Sequence, residues 1–198
     1  HDLTDERLAE IDALLHKAAA SNRNNRLIHK SAQKAALKKS LTEAIMDWEC
    51  NWDIDITLIL PRAEPATKCP LQLSKFLHHY FSTVDAIVFK AIPRRHRPKV
   101  TRFVVKEHTD GVGWHCHAII ATPIGRTAEE IDEILRRTWF EKVGIYDNAK
   151  FDPDRFYHSD AHHDAFIGYA LKHAIETNNC NLDMAQGIID LHNTTYCP

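Results

Sequence analysis

The chain predicts an α+β fold, a central antiparallel sheet with helices packed on it, preceded by N-terminal helices. Three observations carry this. First, Val100 to Lys106 and Trp114 to Ala121 read as strands, and Asp110-Gly-Val-Gly113 between them supplies the turn residues of a hairpin. Second, long segments on either side carry apolar residues at helical spacing. Third, the order from residue 50 is strand, helix, strand, strand, helix, short strand, helix, which fits a hairpin-containing sheet covered by helices.

The elements follow in order. Residues 3–20 and 26–48 have helical periodicity, through Leu3, Leu8, Ile11, Leu14 and Leu15, then Leu27, Ile28, Ala35, Leu37, Leu41, Ile45 and Trp48. Ser21-Asn-Arg-Asn-Asn25 separates them as a turn or cap. Asp53-Ile-Asp-Ile-Thr-Leu-Ile-Leu60 alternates in its first half, predicting a strand over 52–60 that Pro61 ends. A helix over 71–91 has Leu73, Phe76, Leu77 and Phe81 as its apolar stripe. The strand pair spans 100–108 and 114–122, and Pro123-Ile-Gly125 closes it. Thr127-Ala-Glu-Glu130 has the spacing of a capping box and opens a helix to Val143. Phe156–His158 is a short strand, and Asp160 caps a helix that runs to Thr177. There is no internal repeat and no low-complexity segment.

A length of 198 residues suffices for one domain with a core, or a domain plus a small accessory. No apolar run approaches the ~20 residues that cross a bilayer, and no secretory signal opens the sequence, so no membrane partner is expected. The chain begins with His1, which leaves a larger parent protein open. Five cysteines (50, 69, 116, 180 and 197) are scattered without Cys-x-x-Cys spacing. That argues against a disulfide framework or structural zinc and points to a reducing, cytoplasmic setting.

The net charge of −2 hints at no polyanionic partner, but its distribution does. No acid lies between Asp12 and Glu43, where Lys17, Arg23, Arg26, Lys30, Lys34, Lys38 and Lys39 fall. Lys30, Lys34 and Lys38 form a stripe if helical; a solvated helix face explains this cluster equally well. A second acid-free stretch, between Asp85 and Glu107, holds Lys90, Arg94, Arg95, Arg97, Lys99 and Arg102 and runs directly into the hairpin. Arg94, Arg95, Arg97, Lys99 and Arg102 are therefore expected to contact DNA phosphates.

The hairpin itself carries the most chemistry. Side chains at i and i+2 leave a strand on one face, so His115 and His117 point together and Cys116 points oppositely. The turn folds Glu107 back beside them. Two imidazoles and a carboxylate on one face make a divalent-metal site, with Mg²⁺ or Mn²⁺ as the expected ion. The bland alternative, chance His-x-His in a chain with 14 histidines, is serious for the pair alone. Glu107 would then pair with Arg102 or Lys106. Downstream, Tyr169 and Lys172 lie three apart and share a face of the predicted helix.

His115-Cys-His117 on a strand, followed by Tyr169-Ala-Leu-Lys172 on a helix, resembles the HUH endonucleases, specifically the single-tyrosine rolling-circle replication initiators. The resemblance covers roughly 50–178. It implies an RRM-like nuclease core at 49–179, with 1–48 an N-terminal helical extension and 180–198 a C-terminal tail. It places the histidines on an exposed sheet face and the tyrosine helix across it. Glu107 matches the family's metal-binding glutamate, whereas the 53–60 strand matches the first motif in topology only. Cys116 stands where a bulky hydrophobe is commoner.

The implied activity is nicking and joining of single-stranded DNA at an origin or hairpin of a mobile element such as a plasmid. Tyr169 acts as nucleophile, with Lys172 beside the phosphate and a metal on Glu107, His115 and His117. A freed 3′-hydroxyl suits a polymerase. The lack of a Walker-type loop assigns any helicase to the host. His162 and Asp55 are weaker candidates near the metal. Trp48, Trp52, Trp114 and Trp139 read as core before stacking platforms.

Rival readings exist. An amidohydrolase needs a larger barrel, and a metallo-β-lactamase-like site needs further ligands where Ala118-Ile-Ile stands. A DNA-binding HUH-like module without cleavage, or a transposase- or relaxase-type enzyme, remains the alternative.

Overall fold

The computed structural model describes Ala9, Ala13, residues 27–48, Cys50, 52–60, 65–147, 156–158, Ile167, Leu171, 187–190 and 193–195. Helix α1, Leu27–Met46, presents Leu41, Ala44 and Ile45 to the interior, with Trp48 just beyond its end. Strand β1 is Trp52–Leu58. A 3₁₀ turn at Pro65–Lys68 leads to α2, Pro70–Val88, whose first residue is a proline with no N–H to leave unpaired. A second 3₁₀ turn, Arg94–His96, precedes β2 (Arg102–Thr109) and β3 (Gly113–Ala121). Helix α3 is Ala128–Asp147, β4 is Phe156–His158 and β5 is Gly187–Ile189. The expected helix over 3–20 and the helix opened by Asp160 fall largely outside the described residues.

The capping box at the start of α3 is present. Thr127 Oγ1 accepts the Glu130 N–H at 3.3 Å, and Glu130 Oε2 accepts the Thr127 N–H at 3.3 Å.

The strands form one antiparallel sheet in the order β4-β1-β3-β2-β5. Three long strands make its centre, and the two edges are three residues each. Alternation sends Ile54, Ile56, Leu58, Val104, Cys116, Ala118 and Ile120 to one face, against Leu73, Leu77, Phe81 and Val84 of α2 and Ile131, Leu135 and Trp139 of α3. Tyr80 ties these helices together, its hydroxyl donating to Leu135 O at 2.9 Å. The opposite face carries Phe103, Val105, Ile119, Ala121 and Ile189, against Leu41, Ile45 and Trp48 and against Ile167 and Leu171. All four tryptophans are buried, as core residues should be.

Residues 1–48 were expected to be an N-terminal helical extension; within it Leu41, Ile45 and Trp48 pack into the core of one sheet face. Residues 180–198 were expected to be a tail, yet β5 pairs with β2, and Asp190, Asn193, Thr194 and Thr195 are buried. Gly187-Ile-Ile189 has neither alternation nor the aromatic residues that mark Phe156–His158, so its strand was not expected. The histidine face was expected to be exposed, yet His115 and His117 are buried on it.

Two buried ion pairs fasten the frame. The Arg102 guanidinium donates to both Asp85 oxygens (2.8 and 3.2 Å), to Asn193 O (3.0 Å) and to Val100 O (3.2 Å), and lies 4.5 Å from the Phe81 ring centre. Lys106 hydrogen-bonds Ser74 Oγ and Pro70 O and lies 3.5 Å from Asp190. Ser74 Oγ donates to Asp190 Oδ2 at 2.8 Å, so the C-terminal segment is bound directly to α2. Removing one partner of such a pair leaves a buried charge uncompensated.

Candidate metal centre

β2 and β3 pair with Glu107 opposite His115 and Val105 opposite His117. Cross-strand partners share a face, so the carboxylate and both imidazoles converge at the turn end of the hairpin. The turn makes this register possible, because Gly111 and Gly113 have φ of 90° and 83°, which glycine adopts without a Cβ penalty. At Gly113 a Cβ would also stand 2.7 Å from Thr67 O.

Glu107, His115 and His117 are 1%, 6% and 4% exposed. His117 Nε2 lies 2.9 Å from Glu107 Oε2, and His115 Nε2 lies 3.9 Å from the same oxygen. The imidazole rings meet edge to face with centres 5.1 Å apart. One donor atom from each residue falls within 4.8 Å of the other two. Ligands at about 2.1 Å from an ion lie roughly 3 Å apart, so these separations close around a cation with small side-chain movements.

The far side of each ring is also held. Gly113 O can only accept, so the 3.1 Å contact puts a proton on His115 Nδ1 and leaves Nε2 with its lone pair toward Glu107. His117 Nδ1 faces Thr57 Oγ1 of β1 at 2.9 Å. A hydroxyl both donates and accepts, so Thr57 serves either tautomer. It donates while His117 Nε2–H is given to Glu107, and accepts from Nδ1–H when Nε2 is a ligand. Partners of this kind fix ring orientation at metal sites. Burial, the largest cause, pushes the His115 imidazole below its usual value, against the upward pull of the Gly113 carbonyl. A neutral imidazole is the form that binds metal.

Glu107 does not pair with its cationic neighbours. Arg102 and Lys106 point to the other face, where Asp85 and Asp190 hold them. Cys116 also faces away from the centre and is buried. Asp55 sits on the histidine face, fully buried and paired with Ile119 one register step away. Tyr169, Lys172 and His162 lie outside the described residues. Thr57 was missed by sequence reasoning, since only the β1–β3 register brings it opposite His117.

The basic residues expected at DNA do not share one environment. Arg102 is 3% exposed and donates to Asp85, Asn193 O and Val100 O inside the protein, so it braces the fold. Arg94, Arg95 and Lys99 are exposed and Arg97 is half-buried, but they precede β2 at the end remote from the hairpin turn. Arg102 and Glu107 are five strand positions, about 17 Å, apart. The cations therefore do not adjoin the candidate centre.

Among the described residues, no helix is long and apolar enough to cross a membrane. No family model, curated protein or solved structure matches this chain.

Proposed function

We propose that this chain is a metal-dependent DNA strand transferase of the HUH single-tyrosine type, which nicks and rejoins single-stranded DNA and so initiates rolling-circle-type replication of a mobile element. The observation that carries the reading is the Glu107–His115–His117 convergence, with both rings oriented by Gly113 O and Thr57. It is joined to the Tyr169-Ala-Leu-Lys172 pattern of the sequence.

In this reading Glu107, His115 and His117 hold Mg²⁺ or Mn²⁺, which supplies Lewis-acid polarisation of a phosphate oxygen. The Tyr169 oxygen bonds to phosphorus while the P–O3′ bond breaks. The tyrosine proton leaves to solvent or a base, and the 3′-oxygen takes up a proton. The 5′-phosphotyrosine link retains the ester bond energy, so a later hydroxyl can reverse the step. Lys172, three residues after Tyr169 in the sequence, stabilises charge on the phosphate. The freed 3′-hydroxyl primes a polymerase, and a host helicase opens the duplex.

A second reading has the burial of all three ligands in its favour: a metal that braces the hairpin beneath a DNA-binding surface, without cleavage. One experiment separates the two. Incubation with single-stranded oligonucleotides and Mn²⁺ should yield a covalent protein–DNA adduct that Tyr169→Phe abolishes. His117→Ala should lose the adduct yet keep most DNA affinity, because phosphate contacts dominate binding. Binding without any adduct overturns the transferase and supports the second reading.

A further inference from the structure

An open cleft of about 450 Å³ lies between the 3₁₀ turn before α2 and the tip of the β2–β3 hairpin, lined in part by Thr67, Lys68, His108, Thr109, Asp110 and Gly113. It is built by the same turn as the candidate centre. Gly113 forms part of its wall and also accepts the His115 Nδ1 proton at 3.1 Å. Gly113 and His115 are two strand positions apart, about 7 Å. His108 alternates with Glu107 along β2, and Trp114 with His115 along β3. The cleft therefore lies on the opposite side of the hairpin tip from the metal ligands.

We infer that this cleft holds one nucleotide of a single strand that crosses the hairpin tip. The inference rests on the single-stranded DNA reading above and adds a second subsite to it. His108 is half-buried and braced edge-on by the Trp114 ring at 5.4 Å, which makes a fixed platform for a stacked base. Lys68 is exposed at the rim and offers a cation to the phosphodiester. Asp110 is the acid in this lining and repels phosphate. It suits the exocyclic amino group of a base instead, so the base points toward the turn and the phosphate toward Lys68. The tight fit of Gly113 against Thr67 holds the two walls at a set separation.

The test uses the full chain in EDTA, so that metal binding plays no part, with fluorescein-labelled eight-nucleotide homopolymers of A, C, G and T as probes. His108→Ala should weaken binding of the best probe about 5-fold to 100-fold, the range for losing one stacked base, and Lys68→Ala should weaken it and lower the log–log salt slope by about 0.7, as for one lost phosphate contact. His108→Phe should restore affinity to within about 2-fold, because it keeps an aromatic face, which a merely structural role for the imidazole would not predict. Asp110→Ala should reduce the preference for amino-bearing bases over T. Mn²⁺ affinity of the Lys68 and His108 variants, read by calorimetry, should stay unchanged. Unaltered oligonucleotide affinity in both alanine variants overturns the cleft while leaving the adduct test to judge the transferase. Weakened affinity in a protein that forms no adduct keeps the cleft and removes the transferase.

Discussion

Burial decides the protonation of His115. The buried ring has its folded value lowered from about 6.5, whereas the unfolded chain titrates near ~6.5. Between the lowered value and ~6.5 the unfolded state binds more protons, so stability falls as pH drops through that window and is fully present above it. Metal-free protein should therefore lose stability between pH 7.5 and pH 5.5 in guanidinium melts, and His115→Gln should lose less. Equal losses in both proteins would mean the ring is not held neutral. At the same scale, the sequence shows why His115 and His117 point together, since a period of two suffices. It does not show what holds their far nitrogens. Thr57 is 60 positions from His117, and only strand pairing supplies that contact.

At the scale of elements, three cysteines sit in three environments. Cys69 precedes α2, and the amides of Gln72 and Leu71 at the helix start lower its thiol, although no side-chain cap hydrogen bond closes there. Desolvation, aided by Asp53, pushes Cys50 up to about 12. Burial, with Asp190 adding to it, pushes Cys116 well above its ordinary value. Brief alkylation of native protein at pH 7, mapped by mass spectrometry, should modify Cys69 well before Cys50 or Cys116. Prior modification of Cys116 would mean that β3 does not face α2 as described. Element identity was legible here. The hairpin, the capping box at Thr127 and the α2 stripe all follow from local periodicity and turn chemistry. β5 was not legible, because its three residues are stabilised by pairing to Val105, Lys106 and Glu107 and not by their own pattern.

At the scale of the molecule, the sheet is a middle layer and its two ends differ. The hairpin end carries the candidate centre, and the opposite end carries Arg94, Arg95 and Lys99. If the exposed cations anchor DNA away from the reacting phosphate, Arg94→Ala, Arg95→Ala and Lys99→Ala together should weaken binding and flatten its salt dependence. The expected change in the log–log slope is about 0.7 for each lost phosphate contact with a single strand. An unchanged slope would leave that end a solvated surface. Arg102→Ala belongs to a different class. It should destabilise the fold, because it strands Asp85 as an unpaired buried charge.

Charge clustering in the sequence grouped Arg102 with its neighbours, since a linear string cannot distinguish a guanidinium in water from one locked on a carboxylate. Local information determined β1 to β4, the helices α1 to α3, the turn glycines and the shared face of Glu107, His115 and His117, because each depends on residues within about ten positions. Only the tertiary structure decided that Glu107, His115 and His117 are buried, that Leu41, Ile45, Trp48 and Ile189 complete the core of their face, that Thr57 backs His117 and that the basic loop stands apart. Those outcomes depend on strand order and layer packing, which arise between segments far apart in the chain.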